Sequence, residues 1–283
     1  MSRVRAARLA AAVVIPGELL LVLVVAAGVR PPAAVLAACE VLVAAALLLE
    51  AWVLRSLYAA ERARGAVPGE ALRAAVRAAV PAAARRLLLH ELRAGASLVR
   101  WMLRRPPHGV AAGDLPAAYT GPQTAMMYGM VFVSVVETAV LALLIPWPAV
   151  HRVVLVLDVY GVALLLAMHA ACVTRPHVVR PDGSLRLRYG ALFDLAVPAD
   201  AIASARVDRR YPEGRLVSLS GDGVLDLIVG GQTTVTVELS RAVGFTRPLG
   251  ARGEARLLRF HADDPGAVVA ALRGAAVTPP RQG

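Results

Sequence analysis

Hydrophobic and polar positions along the chain change period twice. From residue 9 to residue 173 long apolar runs dominate, interrupted by one arginine-rich stretch, and from residue 177 the alternation shortens to two. The runs 9–29, 33–54, 124–147 and 149–173 are each about 20 residues or more. At ~1.5 Å per residue each is long enough to cross the hydrocarbon core of a membrane. Arg30-Pro31-Pro32 closes the first pair into a hairpin and Pro148 closes the second, while Pro16-Gly17-Glu18 predicts a kink inside the first span. The pattern therefore predicts two transmembrane hairpins, 1–54 and 120–175, on either side of a loop, 55–119, and ahead of a tail, 176–283.

The loop holds eleven arginines against four acids, whereas the first hairpin turn holds Arg30 alone. That asymmetry places the N-terminus, the loop and the tail on the cytoplasmic side of a bacterial plasma (inner) membrane, as a multi-pass protein. Within the loop, EALRAAVRAAV and AAARRLLLHELRAGASLVRWMLRR read as helices separated by Pro81, and Pro106-Pro107 ends the second. The second helix is basic and amphipathic, with Leu88, Leu92, Val99, Met102 and Leu103 near one side. Such a helix lies along a membrane surface, and Arg85, Arg86, Arg93, Arg100, Arg104 and Arg105 are expected among anionic headgroups.

In the tail, HVVR, SLRLRYG, ALFDLAVP, SARVDRR, GRLVSLS, VLDLIVG, TTVTVEL and ARLLRFHA form short alternating segments separated by Gly, Pro and Asp. Asp263-Asp264-Pro265 then starts a helix that runs through Arg273. Seven or eight strands and one closing helix describe a small β-barrel or sandwich. SLRLRYGALFDLAVPADAIASARV resembles the opening of a bacterial pleckstrin-homology-like domain: a basic strand (Arg186, Arg188), a glycine turn (Gly190), a strand ending in Val197-Pro198, then Ile202. The resemblance covers about 176–274. Together with the spans, the chain is similar to uncharacterised actinobacterial integral membrane proteins carrying such a tail. That family implies a fold and supplies no activity; that the tail binds a protein partner or headgroups is an expectation drawn from the recognisable tail together with the absence of catalytic signatures.

Four of the acids sit inside apolar runs. Glu18, Glu40, Glu137 and Asp158 lie roughly 10–17 Å in from the expected outer turns at ~1.5 Å per residue, one per span. Charges in lipid are expensive, so the four are expected to face one another or a wet cavity. His151, Asp158 and His169 fall on one stripe of the fourth span, at spacings that return to nearly the same helical angle. This pattern suits a proton path or a carboxylate/imidazole site for a divalent metal. The alternative is structural: single acids hydrogen-bonded to neighbours such as Ser134, Thr138 or Tyr160.

Composition narrows the picture. All 31 basic residues are arginine and the net charge is +11, yet the arginines flank apolar spans and mark no nucleic-acid-reading motif. The lysine-free, Ala/Val/Leu/Gly/Pro-rich usage reads as a GC-rich genome. Cys39 and Cys172 both fall in apolar runs and form no metal-binding pair. GxSxG, HExxH, phosphate-loop and dinucleotide signatures are absent from the sequence. The sequence thus leans towards a non-enzymatic membrane module with a ligand-binding tail, with cation or proton transport as the alternative.

Overall fold

The structure, a computed structural model, describes residues 31–248 and 250–277 and six isolated positions (4, 5, 9, 14, 17 and 21). The expected first span, and with it Glu18, lies outside the described residues. Helices α1 (Ala33–Ala63), α2 (Pro68–Ala79), α3 (Ala82–Met102), α4 (Gly121–Leu144) and α5 (Pro148–Thr174) precede a β-rich C-terminal part. Three of them, α1, α4 and α5, are long and apolar enough to cross a membrane. The second span was expected to end at residue 54, but α1 continues to Ala63. Its last three turns carry Arg55, Glu61 and Arg62, polar residues of high helix propensity that prolong the helix beyond its apolar part.

The chain divides into two compact units, Met1–Arg85 with Val136–Val159, and Arg86–Val135 with Tyr160–Gly283. In the first, α2 returns against α1 after a turn made at Gly65, and small side chains (Ala46, Ala71, Ala75) and Val53 form the buried contacts. Most of the apolar surface of α1 remains outside that contact, including Val41, Leu42, Leu47 and Leu48. A helix that is apolar all round and little buried by protein is suited to lipid.

The second unit contains two sheets. Strands β1 (Leu115–Ala117), β2 (His177–Val179), β3 (Leu185–Tyr189) and β4 (Phe193–Val197) form an antiparallel four-stranded sheet in sequence order. Strands β5 (Ile202–Arg210), β6 (Val217–Leu219), β7 (Val224–Leu227), β8 (Thr233–Thr246) and β9 (Arg252–Phe260) form a five-stranded sheet of order β5-β8-β9-β7-β6. Within it β7 and β9 run parallel. Helix α6 (Pro265–Val277) closes the domain, with Asp264 Oδ1 accepting the Ala267 N–H at its first turn.

Period-two alternation is strict in β4, where Phe193, Leu195 and Val197 point inward and Asp194 and Ala196 outward. Leu187, Val197, Val237, Leu258, Val268 and Leu272 bring both sheets and α6 into one core, with Phe193 edge-on to Phe245 at 5.8 Å. The β1 strand is the main departure from expectation. It comes from the stretch assigned to the interhelical loop, and Leu115, Pro116 and Ala117 pair with Val179, Val178 and His177. Three residues with a central proline carry no alternation to read, and at a sheet edge proline loses no ladder bond.

The seam around β1 is tied down with specific bonds. Tyr119 is fully buried, its hydroxyl accepts the Gly190 N–H at 2.8 Å, and its ring stacks on His177 at 4.5 Å between centroids. The Asp263 carboxylate accepts the Gly121 N–H at the start of α4, while the Asp263 N–H donates to the Ala118 carbonyl. Gly190 takes φ of 50°, and a β-carbon there would lie 3.2 Å from Cys172 Sγ, so the β3–β4 turn needs glycine for both reasons.

Candidate functional site: a basic cleft at the end of an apolar helix

Within the second unit, the C-terminal ends of α3 and α5 form a cleft of about 400 Å³ lined by Trp101, Met102, Arg104, Arg105, Pro107, Val173 and Thr174. The local sequence builds its rim. Helix α3 ends in a double hydrogen bond, with the Arg105 N–H to the Arg100 carbonyl and the Arg104 N–H to the Trp101 carbonyl, both 3.0 Å. This termination places one residue in the left-handed region, where glycine is usual. Here that residue is Arg104, with φ of 49°, the one non-glycine residue with positive φ among the described residues. The conformation costs on the order of 1 kcal/mol for an L-residue, and such strain concentrates at functional sites.

The charge near the cleft is mainly cationic, with Asp194 the carboxylate that acts on Arg175, Arg186 and Arg188. Burial, then the guanidinium groups of Arg175, Arg100, Arg188 and Arg186, push the His108 ring below its usual range. Burial and the neighbouring Arg93 charge likewise lower Arg175, whose Nε donates to Ser97 Oγ at 3.3 Å. Arg188 is 1% exposed and donates to the His108 carbonyl at 2.6 Å, anchoring the segment that leads into β1. Arg186 is neutralised by a two-pronged pair with Asp194, and Arg100 Nε is occupied by the Pro106 carbonyl. Arg104 and Arg105 are exposed on the rim. Two exposed guanidinium groups on the rim, with further arginines buried behind it, can receive a multiply accepting anion.

The expected headgroup arginines separate on this geometry. Arg104 and Arg105 line the cleft, Arg100 is held by the Pro106 carbonyl, Arg93 and Arg86 are exposed on α3, and Arg85 donates to the Arg77 carbonyl at 3.1 Å in the first unit. Helix α3 buries Ala94 and Ser97 and leaves Leu88, Leu92, Val99, Met102 and Leu103 exposed, an unpartnered apolar stripe beside the cleft.

Of the four acids in the apolar runs, Glu40, Glu137 and Asp158 fall among the described residues. Glu40 and Glu137 are exposed in the first unit, and no group of three or more His, Cys, Asp or Glu able to hold a metal occurs among the described residues. Asp158 does share a tight crevice with His151 and Thr138, and its Oδ2 is buried without a hydrogen-bond partner. His169, on the same helix, belongs to the second unit, where its ring packs edge-on to Trp101 at 6.0 Å and tilted to Tyr128 at 5.2 Å. The sequence pattern did not mark Thr174 as a cleft residue or Arg175 and His108 as neighbouring charged or titratable groups, and it placed Arg188 only on a basic strand. The only sequence signal for them was that the apolar run of α5 ends directly on Thr174-Arg175.

No protein-family model, no curated protein and no solved structure matches the chain.

Proposed function

We propose that this chain is a non-enzymatic, multi-pass protein of a bacterial inner membrane with a cytoplasmic β domain of the pleckstrin-homology-like type, and that the basic cleft at the ends of α3 and α5, beside that domain, binds anionic phospholipid headgroups. One observation carries the reading: a cleft rimmed by Arg104 and Arg105 lies at the end of an apolar, span-length helix, where a headgroup phosphate would sit. Trp101 in the cleft wall suits the same depth, since amphipathic aromatics favour the membrane–water interface. The exposed leucine stripe of α3 then rests on the acyl boundary.

Arg104→Gly tests this with two opposed readouts. Glycine relieves the left-handed backbone and should raise thermal stability by up to about 1 kcal/mol, while removing a headgroup contact. Each arginine near an anionic surface contributes about 1 kcal/mol, so Arg104→Gly with Arg105→Ala should weaken retention of phosphatidylglycerol about 30-fold. Native mass spectrometry of the detergent-solubilised full chain, offered phosphatidylglycerol and phosphatidylcholine, reads the effect. Equal retention of both lipids by the unmodified chain, or no loss in the double variant, would sink the reading; copurification of a stoichiometric protein would redirect it to a protein partner.

The buried, unpartnered Oδ2 of Asp158 beside His151 favours a second reading, movement of a proton or cation through the spans. Proteoliposomes carrying a pH-sensitive dye should then show flux that Asp158→Asn abolishes. Flux absent from the unmodified chain, or unchanged by the substitution, excludes it.

A further inference from the structure

The basic cleft offers more than one phosphate can use. Its volume of about 400 Å³ equals the liquid share of about 13 water molecules. Its rim presents two guanidinium groups, Arg104 and Arg105, and no ion pair of the described residues engages either. A guanidinium is a rigid fork that grips an oxyanion through two parallel hydrogen bonds. A phosphodiester has only two non-bridging oxygens, so one such grip uses both. The second guanidinium calls for a second phosphate.

Both arginines are set in place before anything binds. The paired backbone bonds to Trp101 and Arg100 hold residues 104 and 105, and Pro106-Pro107 fix φ directly after them. A backbone fixed in advance loses less freedom on binding. Behind the rim, Arg175 and Arg188 are partly desolvated cations, and the carboxylate that acts on them, Asp194, is already paired with Arg186. A doubly charged headgroup answers that field better than a singly charged one. Val99, Met102, Leu103 and Val173 are exposed on the two helices that form the cleft, an apolar surface for acyl chains.

We propose that the cleft takes a lipid with two phosphates in one headgroup, diphosphatidylglycerol (cardiolipin), with Arg104 on one phosphate and Arg105 on the other. The inference rests on the headgroup reading and sharpens it. Once the first phosphate is held, the glycerol bridge presents the second at high effective concentration, an advantage separate phosphatidylglycerol molecules lack. Basic pockets at the cytoplasmic ends of spans suit such headgroups.

Native mass spectrometry of the full chain in detergent reads the preference, with cardiolipin, phosphatidylglycerol, phosphatidic acid and phosphatidylcholine offered together at equal concentration. Cardiolipin should be retained about fivefold over phosphatidylglycerol, the effect of one further arginine at an anionic surface. Phosphatidic acid, whose charge sits on one phosphate, should fall with phosphatidylglycerol. Arg104→Gly and Arg105→Ala, taken singly, should each bring cardiolipin down to the phosphatidylglycerol level, because the remaining guanidinium serves one phosphate in either lipid. Arg105→Lys keeps the charge and loses the fork, and should give up the preference with the fold intact. Cardiolipin retained no better than phosphatidylglycerol, phosphatidic acid matching it, or a preference that survives in the single variants would each overturn the two-phosphate assignment and leave the headgroup reading standing. Phosphatidylcholine retained as well as the anionic lipids would end both.

Discussion

Tyr119→Ala should be among the most damaging single substitutions in the β domain, costing roughly 4–8 kcal/mol. Removing a large buried aromatic costs about 3–5 kcal/mol through lost transfer energy and the cavity left behind. Tyr119 is fully buried between His177 and Tyr189, at centroid distances of 4.5 and 6.0 Å. The substitution also orphans the Gly190 N–H, a buried donor whose loss adds about 1–3 kcal/mol. Tyr119→Phe isolates that last contribution and should cost only about 1–3 kcal/mol. Cys172 gives a direct readout, because it is a free, buried thiol beneath Gly190. In a Cys39→Ser background, the rate of maleimide labelling at Cys172 should rise steeply in Tyr119→Ala and modestly in Tyr119→Phe. Labelling that stays at the unmodified rate in Tyr119→Ala would show that the β1 seam does not hold the domain together.

Acid should unfold the same domain through His177. Its Nδ1 accepts the Arg188 N–H at 3.1 Å and its Nε2 lies 3.1 Å from the His261 carbonyl, so the neutral ring with Nε2–H satisfies both sides. A second proton would set Nδ1–H against the Arg188 N–H. Burial, outweighing the favourable His261 carbonyl and aided by the Arg188 charge, lowers the ring from 6.5 to about 3. Between those values the unfolded chain binds a proton that the folded chain refuses, so stability rises with pH across this window. The contribution is complete above about pH 6.5, falls by about 2 kcal/mol at pH 5, and approaches on the order of 4 kcal/mol lost at pH 3. His261, lowered chiefly by burial, has the same sign. The depressed carboxylates of Asp182 and Asp208 lose their contribution only at lower pH, as they protonate. Melting temperatures from pH 7 to 4 should therefore decline, and His177→Asn should be less stable at neutral pH but flatter in its pH dependence. An unmodified chain whose stability is level from pH 7 to 4 contradicts this account.

Both effects centre on contacts between segments far apart in the chain, which is why neither was legible in the sequence. Tyr119 lies in a stretch without periodicity, and its partners Gly190 and His177 are 71 and 58 residues away. The basic helix α3 was legible as amphipathic, yet the pattern assigned its arginines one common role. Chain reversal instead placed Arg104 and Arg105 at a cleft, occupied Arg100 with a carbonyl, and brought Arg175, Arg186 and Arg188, which follow two long apolar helices in the chain, close to His108. Helical rise fixes the height of the four acids in their runs without fixing which way a side chain faces. Among the described residues Asp158 is enclosed with His151 while Glu40 and Glu137 are exposed.

The sequence alone determined the long apolar helices, the strand-rich C-terminal part and the closing helix at Pro265, because periodicity and capping are local properties of the chain. The tertiary structure decided the rest. It enlisted β1 from the interhelical stretch, paired β7 with β9 in parallel, and brought His90 and His169 to one cavity. Each of these depends on which distant segments meet, which burial of a shared core settles and local sequence pattern does not.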